Sequence, residues 1–382
     1  MYDVVVAGAG PCGSAAARAC AEAGLRTLCI EEHGTIGRPV QCAGLLSVAA
    51  LSECKVSTRS ILNTIWGARF IPSSGEPLEI DGGRPMAYVV DRGALDAEMA
   101  RAAAGAGAEF RLRTTVASVK GDRLITKGIR GREEIGFSIL IAADGVRSSI
   151  ARISGLGQAQ SVLGGLQAEV RCGTGSRFVE IHPHASPEFF GWVIPTGDGM
   201  ARVGLCGEGD LRPRLAALLR PFGGGILDLV SGALPLGVLP RTYGPRTLVA
   251  GDAAGMAKPT SGGGIYTGVR AARHAAAVAV ECCEKGSFRE RDLARYEKLW
   301  KEDFGRELSV GMALYRARRN LSPADVDAVI GALRDPEIVK EIEKTGDMDR
   351  PSSLFRRLAL KPSVIRAAGI FLRGGLRSVL TD

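Results

Sequence analysis

The feature that most constrains the fold is the glycine motif GAGPCG at residues 8–13. It follows a short, β-branched apolar segment at residues 2–7 and opens an alanine-rich segment typical of a helix. Glycines at this spacing permit a tight turn, a close approach of the backbone to a pyrophosphate, and close packing of the helix on the strand. A second apolar segment ends at an acidic residue, Glu31, about 20 residues further on, where a ribose hydroxyl would be bound. The spacing therefore predicts a βαβ unit that binds a dinucleotide.

Two alternatives are open for this motif. The same glycine pattern also occurs as a purely structural turn, and Glu32 stands next to Glu31 as a competing acid. Glu32 lies one residue further from the end of the strand, which favours Glu31. Gly10 precedes the predicted helix, and the free amides and the dipole of a helix N-terminus attract an anion. We therefore expect ligand binding rather than a structural turn.

Two later segments repeat the pattern of a buried strand that ends in small residues and an aspartate. They are LIAADG at residues 140–145 and TLVAGDAAG at residues 247–255. Asp252 could accept a hydrogen bond from a ligand hydroxyl or could cap the helix that follows. Gly264, the last of three consecutive glycines, would supply amide donors at the start of that alanine-rich helix. We expect these segments to complete one ligand site.

The strand-rich blocks are separated by segments with alternating hydrophobicity and frequent turn signals, which predict an inserted antiparallel β-sheet. The chain is therefore predicted to be an α/β protein with a discontinuous Rossmann-like dinucleotide-binding domain and a C-terminal helical region. The predicted dinucleotide-binding domain comprises residues 1–50, 86–155 and 245–288. The β-sheet substrate domain comprises residues 51–85 and 156–244, and the helical region, interrupted by prolines, comprises residues 289–382.

Charge and cysteine content narrow the functional classes. The 382 residues carry a formal net charge of +8, which suits a nucleic acid, an anionic membrane or an acidic ligand. The basic residues form no lysine-rich arm, so we expect no nucleic-acid partner. Nine cysteines without a CxxC pair fit neither a disulfide framework nor a zinc site, and His182 and His184 lack a third ligand at suitable spacing. We expect no metal site and a reducing, cytoplasmic location.

The two ends of the chain bear on membrane contact. The N-terminus lacks the basic region of a signal peptide, and no apolar stretch reaches about 18 residues, so no membrane-spanning helix is predicted. The C-terminal segment combines Leu358, Ile365, Ile370 and Leu376 with several arginines. It could lie peripherally on the anionic inner face of a membrane, or it could pack on the core as an ordinary helix.

Several stretches outside the glycine motif match one protein family. They are IGRPVQCAGLL from residue 36, YVVDRGALD from residue 88, FFGWVIP from residue 189, GDAAGMAKPTSGGGIYTG from residue 251, and the C-terminal YEKLW, GREL and DMDRPS. Together with GAGPCG, they resemble the geranylgeranyl reductase family, whose members are flavoproteins of the p-hydroxybenzoate hydroxylase fold. The resemblance extends over nearly the whole chain.

The resemblance implies that the dinucleotide is FAD, and it assigns roles by position. The implied FAD-binding residues are Gly8, Gly10, Cys12, Gly13, Glu31, Cys42, Ala43, Gly44, Arg92, Val116, Asp252, Gly264 and Ile265. Phe190, Trp192 and Pro195 would line a lipid cavity. Two of these roles have alternatives, since Arg92 could be a solvated arginine at a helix start and Trp192 an ordinary core residue.

The resemblance also implies a reaction, the saturation of isolated double bonds in isoprenoid chains of membrane lipids or their precursors. Cys42 is the candidate catalytic residue because its position places it against the flavin, and a thiol in an apolar pocket stays protonated and could donate a proton. The alternative is a small residue packed in a tight loop. The family's loop often reads Cys-Gly-Glu-Gly, whereas this chain has Cys42, Ala43, Gly44 and Leu45 and so lacks the glutamate. Ile194 replaces the usual phenylalanine in the cavity motif.

A flavin-dependent monooxygenase or halogenase of the same fold is the rival function. FFGWVIP retains only one tryptophan of the WxWxIP motif typical of halogenases. The chain has no second glycine fingerprint after a strand, so the electron donor is left open among ferredoxin, a deazaflavin and NADPH.

Overall fold

The computed structural model describes residues 1–173, 175–223 and 225–381, with only the backbone of residues 374–381. Within these ranges the strands are β1 (Tyr2–Ala7), β2 (Thr27–Ile30), β3 (Leu45–Ser47), β4 (Ile61–Ile65), β5 (Gly67–Phe70), β6 (Leu78–Asp81), β7 (Ala87–Val90), β8 (Glu109–Arg111), β9 (Thr114–Lys120), β10 (Arg123–Gly128), β11 (Gly131–Ala142), β12 (Ser161–Arg171), β13 (Phe178–His182), β14 (Gly191–Gly197), β15 (Met200–Gly207), β16 (Ile226–Leu236), β17 (Tyr243–Gly244) and β18 (Thr247–Val249).

The α-helices in the same ranges are α1 (Pro11–Glu22), α2 (Val48–Cys54), α3 (Arg92–Gly105), α4 (Ser149–Ile153), α5 (Arg212–Leu219), α6 (Ile265–Lys285), α7 (Glu290–Trp300), α8 (Arg306–Arg318), α9 (Pro323–Leu333), α10 (Pro336–Thr345), α11 (Pro351–Leu358) and α12 (Pro362–Thr381). The mixture of a largely parallel sheet with flanking helices confirms the predicted α/β class.

The parallel sheet forms the centre of the dinucleotide-binding part. Its strand order is β17-β18-β11-β1-β2-β8, and β1 pairs in parallel with both β2 and β11. The continuous apolar runs in β1 and β11 are buried because helices cover the sheet, and alanine-rich α1 and α6 pack closely on each other. The carboxyl ends of β1, β2, β11 and β18 therefore meet at one edge of the sheet, where ligands bind in such folds.

The second sheet is mainly antiparallel, as predicted, with strand order β16-β12-β15-β14-β13-β5-β6. One pair differs, because β13 runs parallel to β5. These two strands are separated by more than a hundred residues, and so long a connection allows a parallel pairing that a hairpin could not make. Helix α5 lies within the segment that was expected to be sheet alone and packs on β15.

A small third sheet joins the two larger parts. It has the order β3-β7-β4, so it draws strands from both sides of the expected boundaries at residues 50/51 and 85/86. The division into domains at those residues stays a prediction.

Prolines start the helices of the C-terminal region. Pro323, Pro336, Pro351 and Pro362 are each the first residue of a helix, where the missing N–H of proline costs nothing. Ser322 and Asp325 form a reciprocal capping box before one of them. Among the described residues, no helix is both long enough and apolar enough to cross a membrane.

Candidate active site

The glycine turn after β1 has the geometry that its sequence predicts. Gly8 has a φ of +93°, and a Cβ at this position would lie 2.2 Å from the carbonyl oxygen of Ala143. A Cβ at Gly13 would lie 1.8 Å from the carbonyl oxygen of Gly8, so only glycine allows α1 to sit this close to the strand. Gly10, the N-cap of α1, has no atom within 4 Å of its Cβ direction. The helix N-terminus is therefore open to an anionic group, as a pyrophosphate would require.

Glu31 lies at the end of β2 beside this turn, and its carboxylate is partly engaged. Oε2 accepts a hydrogen bond from the Ala9 amide at 2.8 Å. Oε1 accepts from the His33 amide at 2.9 Å and lies 2.7 Å from His33 Nδ1. The side chain is buried, so these bonds fix its orientation toward the glycine turn. The role of Glu31 as the ribose ligand stays a prediction, and its contacts with Ala9 and His33 were not predicted.

Cys12 faces away from the open helix end. Its sulfur packs against Gly251, where a Cβ would lie 3.0 Å from Sγ, and it also borders Gly268. Burial raises the pKa of the Cys12 thiol, and the nearby Asp252 carboxylate raises it further. Cys12 can therefore serve a pyrophosphate only through its backbone amide, while its thiol belongs to the packing between α1 and α6.

Asp252 lies in a 3-10 turn, Gly251–Ala254, that follows the strand end. Its Oδ1 lies 2.7 Å from the position that a Cβ at Gly264 would occupy, so the carboxylate touches the N-cap of α6. Within the described ranges no donor is hydrogen-bonded to this carboxylate, so the expected alternative of a helix cap is not observed. Burial raises the pKa of Asp252, and the Arg92 guanidinium opposes that shift. Asp252 is half-buried, so an acceptor without a donor at this position suits a ligand hydroxyl.

The loop that carries Cys42 is held by backbone contacts. Arg202 Nη1, on β15, donates to the carbonyl oxygens of Ala43 at 2.8 Å and Val90 at 3.2 Å. Gly44 has a φ of +75°, and a Cβ there would lie 2.6 Å from the Val90 carbonyl oxygen. The loop is therefore fixed to the second sheet by an arginine that the motifs did not predict.

Cys42 has a polar neighbour that the sequence did not indicate. Its sulfur accepts a hydrogen bond from the Gly44 amide at 3.3 Å and lies near the Arg92 guanidinium, whose pKa it raises. The expectation of an apolar pocket around this thiol is therefore wrong, because a cation and an amide donor stand beside it. Both groups would stabilise a thiolate left after proton transfer. Cys206 also lies near Cys42, and burial raises the pKa of Cys206 to about 12.

Arg92 starts α3 and is not a solvated surface arginine. It forms a two-bond salt bridge with Asp96, from Nε at 3.0 Å and from Nη2 at 2.9 Å, and only 14% of its side chain is exposed. Burial lowers the pKa of the guanidinium, but Cys42 and Asp96 more than offset this, so its pKa lies above the ordinary value. Arg92 thus stays charged between Cys42 and Asp252.

The aromatic segment that leads into β14 and ends at Trp192 forms a wall next to the glycine turn at Gly262–Gly264. Trp192 donates from Nε1 to Gln167 Oε1 at 3.0 Å, and its ring meets the Phe190 ring edge-on at 6.4 Å between centroids. Phe189 stacks on Phe190 at 4.2 Å and comes within 3.4 Å of the Cβ direction of Gly262. The wall therefore borders the part of the candidate site formed by the Gly262–Gly264 turn, which is called the ring end below.

Two predicted residues are placed less directly. Strand alternation puts Pro195 on the face of β14 opposite Trp192, which shares its face with Ile194. Val116 is half-buried in β9 and packs against the main core. Their roles toward a lipid and an adenine stay predictions.

Two residues of the site carried no local signal in the sequence. Arg202 and Gln167 occupy alternating strand positions, where an inward polar residue looks like any other. Lys258 did carry a local signal, because it is the single charged residue in the stretch from Ala253 to Gly264. His182 and His184 bond to Glu180 and Asp327, and the described residues contain no cluster suited to a metal ion.

Comparison with known proteins gives consistent results. The model of the family "FAD dependent oxidoreductase" matches residues 3–138. Digeranylgeranylglycerophospholipid reductase 2 of Methanothermobacter thermautotrophicus is 32% identical, over 96% of this chain and 98% of the relative. The digeranylgeranylglycerophospholipid reductase of Methanosarcina mazei is 30% identical, over 93% of each chain.

Solved structures agree with these relatives. A geranylgeranyl bacteriochlorophyll reductase-like protein of Thermoplasma acidophilum superposes with a TM-score of 0.86 at 26% identity, covering 97% of this chain and 99% of the other. The p-nitrophenol 4-monooxygenase PnpA of Pseudomonas putida has a TM-score of 0.73 at 19% identity and covers 90% and 96%. At that identity the second likeness concerns the fold alone.

The glycine turn and the open N-terminus of α1, together with the matching family model and the similar structures, define an FAD-dependent oxidoreductase of the p-hydroxybenzoate hydroxylase fold. Within this class, the chain belongs to the digeranylgeranylglycerophospholipid reductase family.

Proposed function

We propose that the protein saturates isolated carbon–carbon double bonds in the isoprenoid chains of membrane lipids or their precursors. The observation that carries this proposal is the apolar aromatic wall of Phe189, Phe190 and Trp192 beside the glycine turn, since an isoprenoid chain offers no polar group to bind. The names of the relatives support the same substrate class.

The residues fit FAD at both ends of the site. The open N-terminus of α1 at Gly10 would hold the pyrophosphate, with Glu31 at the ribose. Asp252 would accept from a hydroxyl of the ribityl chain, while the N-terminal amides of α6 at Gly264 and Ile265 would face the electron-rich edge of the ring. In its reduced form, FAD supplies a hydride to one carbon of the double bond.

A proton must reach the other carbon, and we assign its delivery to Cys42. The Gly44 amide donates to the sulfur, the Arg92 guanidinium lies near it, and both would stabilise the thiolate once the proton has left. Arg202 keeps the loop in place, and Trp192 would exclude water from the reacting carbons. Because the acid is a thiol with its own cation, the reaction does not depend on the glutamate that this loop lacks.

The test is an anaerobic single turnover. Protein reduced with dithionite is mixed with a geranylgeranyl lipid, and flavin reoxidation is followed together with the product mass, which should rise by two hydrogens per bond. Removing a general acid typically lowers a rate by about 10²–10⁴-fold. The rate of flavin reoxidation by the lipid should therefore be at least about 100-fold lower in Cys42→Ser and Cys42→Ala. Cys283→Ser, in the last turn of α6, is the matched control and should react normally.

The results separate three cases. An unchanged rate in Cys42→Ala with normal flavin content would rule out its catalytic role while leaving the reductase intact. Oxygen consumption with NADPH and no mass increase of the lipid would instead favour a monooxygenase. Dithionite takes the place of the physiological electron donor in this assay. Ferredoxin, a deazaflavin and NADPH are then each tested in place of dithionite.

We further propose that α11 and α12 contact an anionic membrane. Leu360, Ile365 and Leu372 are 90%, 56% and 69% exposed, and Phe355 is also exposed. Basic residues surround them, namely Arg356, Arg357, Lys361, Arg366 and Arg373. An apolar surface ringed by cations suits an interfacial contact with acidic lipids.

The side chains differ from the predicted set. Leu358 and Ile370 are buried and so pack on the protein, as the alternative of an ordinary helix had it, while Ile365 is exposed. The side chain of Leu376 lies outside the described residues. The proposed membrane contact therefore depends on Leu360 and Leu372 rather than on the predicted stripe.

Flotation with vesicles tests this contact. Wild-type protein should float with vesicles rich in anionic lipid at low salt, and the double variant Leu360→Ser with Leu372→Ser should not. Ile129→Ser changes an equally exposed residue in the β10–β11 turn and should float like the wild type. No flotation of the wild-type protein at low salt would refute the contact.

A further inference from the structure

A buried cation lies behind the glycine turn at the ring end of the candidate site. Lys258 is only 5% exposed, and its Nζ donates to the carbonyl oxygen of Met348 at 3.0 Å. It also forms a salt bridge with the Asp349 carboxylate, which is 2% exposed. Buried charges of this kind are retained only when they are paired and hydrogen-bonded. Lys258 and Asp349 therefore form a buried ion pair that specific hydrogen bonds hold in place.

The turn itself is folded around this lysine. The Lys258 amide donates to the Gly263 carbonyl oxygen at 3.1 Å, and the Gly262 amide donates to the Lys258 carbonyl oxygen at 2.8 Å. A Cβ at Gly263 would lie 3.0 Å from Lys258 Cε and 3.3 Å from Nζ. The ammonium group thus lies directly against the segment whose amides would face the flavin.

The counter-ion comes from a distant part of the chain. Asp349 precedes α11, and its second oxygen accepts a hydrogen bond from Ser47, the N-cap of α2. Ser47 in turn accepts from the Ala50 amide at 2.9 Å. The carboxylate is therefore oriented by the helix that follows the Cys42 loop, and it holds Lys258 on the side of the glycine turn.

The segment that carries Asp349 is clamped at further points. Arg350 donates from Nε to the Tyr266 hydroxyl at 3.3 Å and from Nη2 to Asp303 at 3.1 Å. The Ser352 amide donates to Glu307 at 3.0 Å. The start of the exposed, basic C-terminal helices is thereby joined to the ring end of the site.

We propose that Lys258 raises the reduction potential of the bound FAD, and that Asp349 is the positioning residue that holds its ammonium against the Gly262–Gly264 turn. The inference rests on the proposed placement of the flavin ring at this turn. Reduced flavin carries more negative charge than oxidised flavin, so a fixed cation near its pyrimidine edge favours the reduced form. Asp349 balances the charge of Lys258 within the protein, whereas the ammonium group itself lies against the turn.

The test measures the midpoint potential of the FAD-loaded protein against reference dyes, without any lipid. In Lys258→Met, the ratio of the affinity for reduced FAD to the affinity for oxidised FAD should fall about tenfold. This corresponds to a midpoint potential lower by about 30 mV for a two-electron couple. Because this variant leaves Asp349 buried without its cation, a double variant with Asp349→Asn removes both charges and keeps the shape. Its potential should also lie below that of the wild type, by less than in the single variant.

Ser352→Ala is the matched control, since it removes the hydroxyl that donates to Glu307 in the same segment without changing a charge near the turn. It should keep the wild-type potential. The proposal is overturned if the double variant holds FAD at the wild-type potential, if Ser352→Ala shifts the potential equally, or if both lysine variants lose oxidised FAD. A protein that shows the shift but does not reduce a geranylgeranyl lipid would refute the proposed function and leave this inference standing.

Discussion

The two ends of the candidate FAD site are built in different ways. The pyrophosphate end consists of one continuous turn, residues 8–13, in which backbone groups do the binding and glycines make room for it. The ring end brings together side chains from Cys42, Arg92, Arg202 and Asp252, which lie far apart in sequence. A substitution at a glycine of the local turn should therefore disrupt the whole pyrophosphate end. At the ring end, each substitution should remove one contact and impair one function separately.

The largest effect is expected at the pyrophosphate end. In Gly13→Ala the new Cβ would lie 1.8 Å from a backbone oxygen, so α1 must move away from the strand. Overpacking of this kind costs about 1–3 kcal/mol or more, and the displaced helix should lose most of its FAD. Gly105→Ala, at the end of α3 with no atom within 4 Å, should retain FAD. Flavin content after gel filtration checks both, and full occupancy in Gly13→Ala would contradict the close packing.

At the ring end, Arg202→Met should separate loop position from cofactor binding. The variant leaves the carbonyls of Ala43 and Val90 without their donor, and a hydrogen bond from a charged group is worth about 1.5–3 kcal/mol. We expect a free energy of unfolding lower by about 2 kcal/mol and a slower single turnover, with FAD retained. Arg171→Met, exposed on the same sheet, is the control. Urea titration and rapid mixing measure the two effects, and an equal loss in the control would contradict the assigned contact.

Asp252→Asn should have a smaller and pH-dependent effect. Loss of a charged acceptor for a ligand hydroxyl should weaken FAD binding by about tenfold, or about 1.4 kcal/mol. In the protein without FAD, the same substitution should stabilise the folded state instead of weakening a function. Because burial raises the pKa of Asp252, the folded state binds a proton more tightly than the unfolded state, and stability falls as pH rises from the ordinary aspartate value through the raised one.

The same variant therefore gives a check on stability. Without FAD, Asp252→Asn should be more stable than the wild type at neutral pH, and the difference should vanish at acid pH. Thermal unfolding across this range measures it. A wild-type protein whose stability relative to the variant does not change with pH would show that Asp252 does not titrate as its burial implies.

The smallest effect is expected at Pro195. Trp192→Ala should raise KM for the lipid several-fold, because it removes the ring that borders both Phe190 and Gln167. If the lipid lies on the Trp192 face, Pro195→Ala, one strand position beyond Ile194 on the opposite face, should change KM by less than about twofold. Steady-state kinetics with a geranylgeranyl lipid compares the two. Equal effects would show that the lipid wall is not the Trp192 face.

Much of the pyrophosphate end could be predicted from the sequence, because its function depends on backbone conformation. Gly8, Gly10 and Gly13 and the alternative acids at the end of β2 are all local signals, and their spacing in the chain is nearly their spacing in the turn. The helix starts in the C-terminal region have the same local character, although the prolines there begin helices rather than interrupt them.

At the ring end the sequence alone determined less. The resemblance indicated Cys42 and Arg92, and the strand-end pattern indicated Asp252. The sequence did not indicate that a guanidinium stands beside the thiol or that no donor among the described residues bonds to Asp252. Nor could it pair Lys258 with Asp349 across more than ninety residues. These contacts depend on which strands and helices meet at one edge of the sheet. Long-range packing decides the charge, burial and orientation of each group, and local patterns of residues do not encode it.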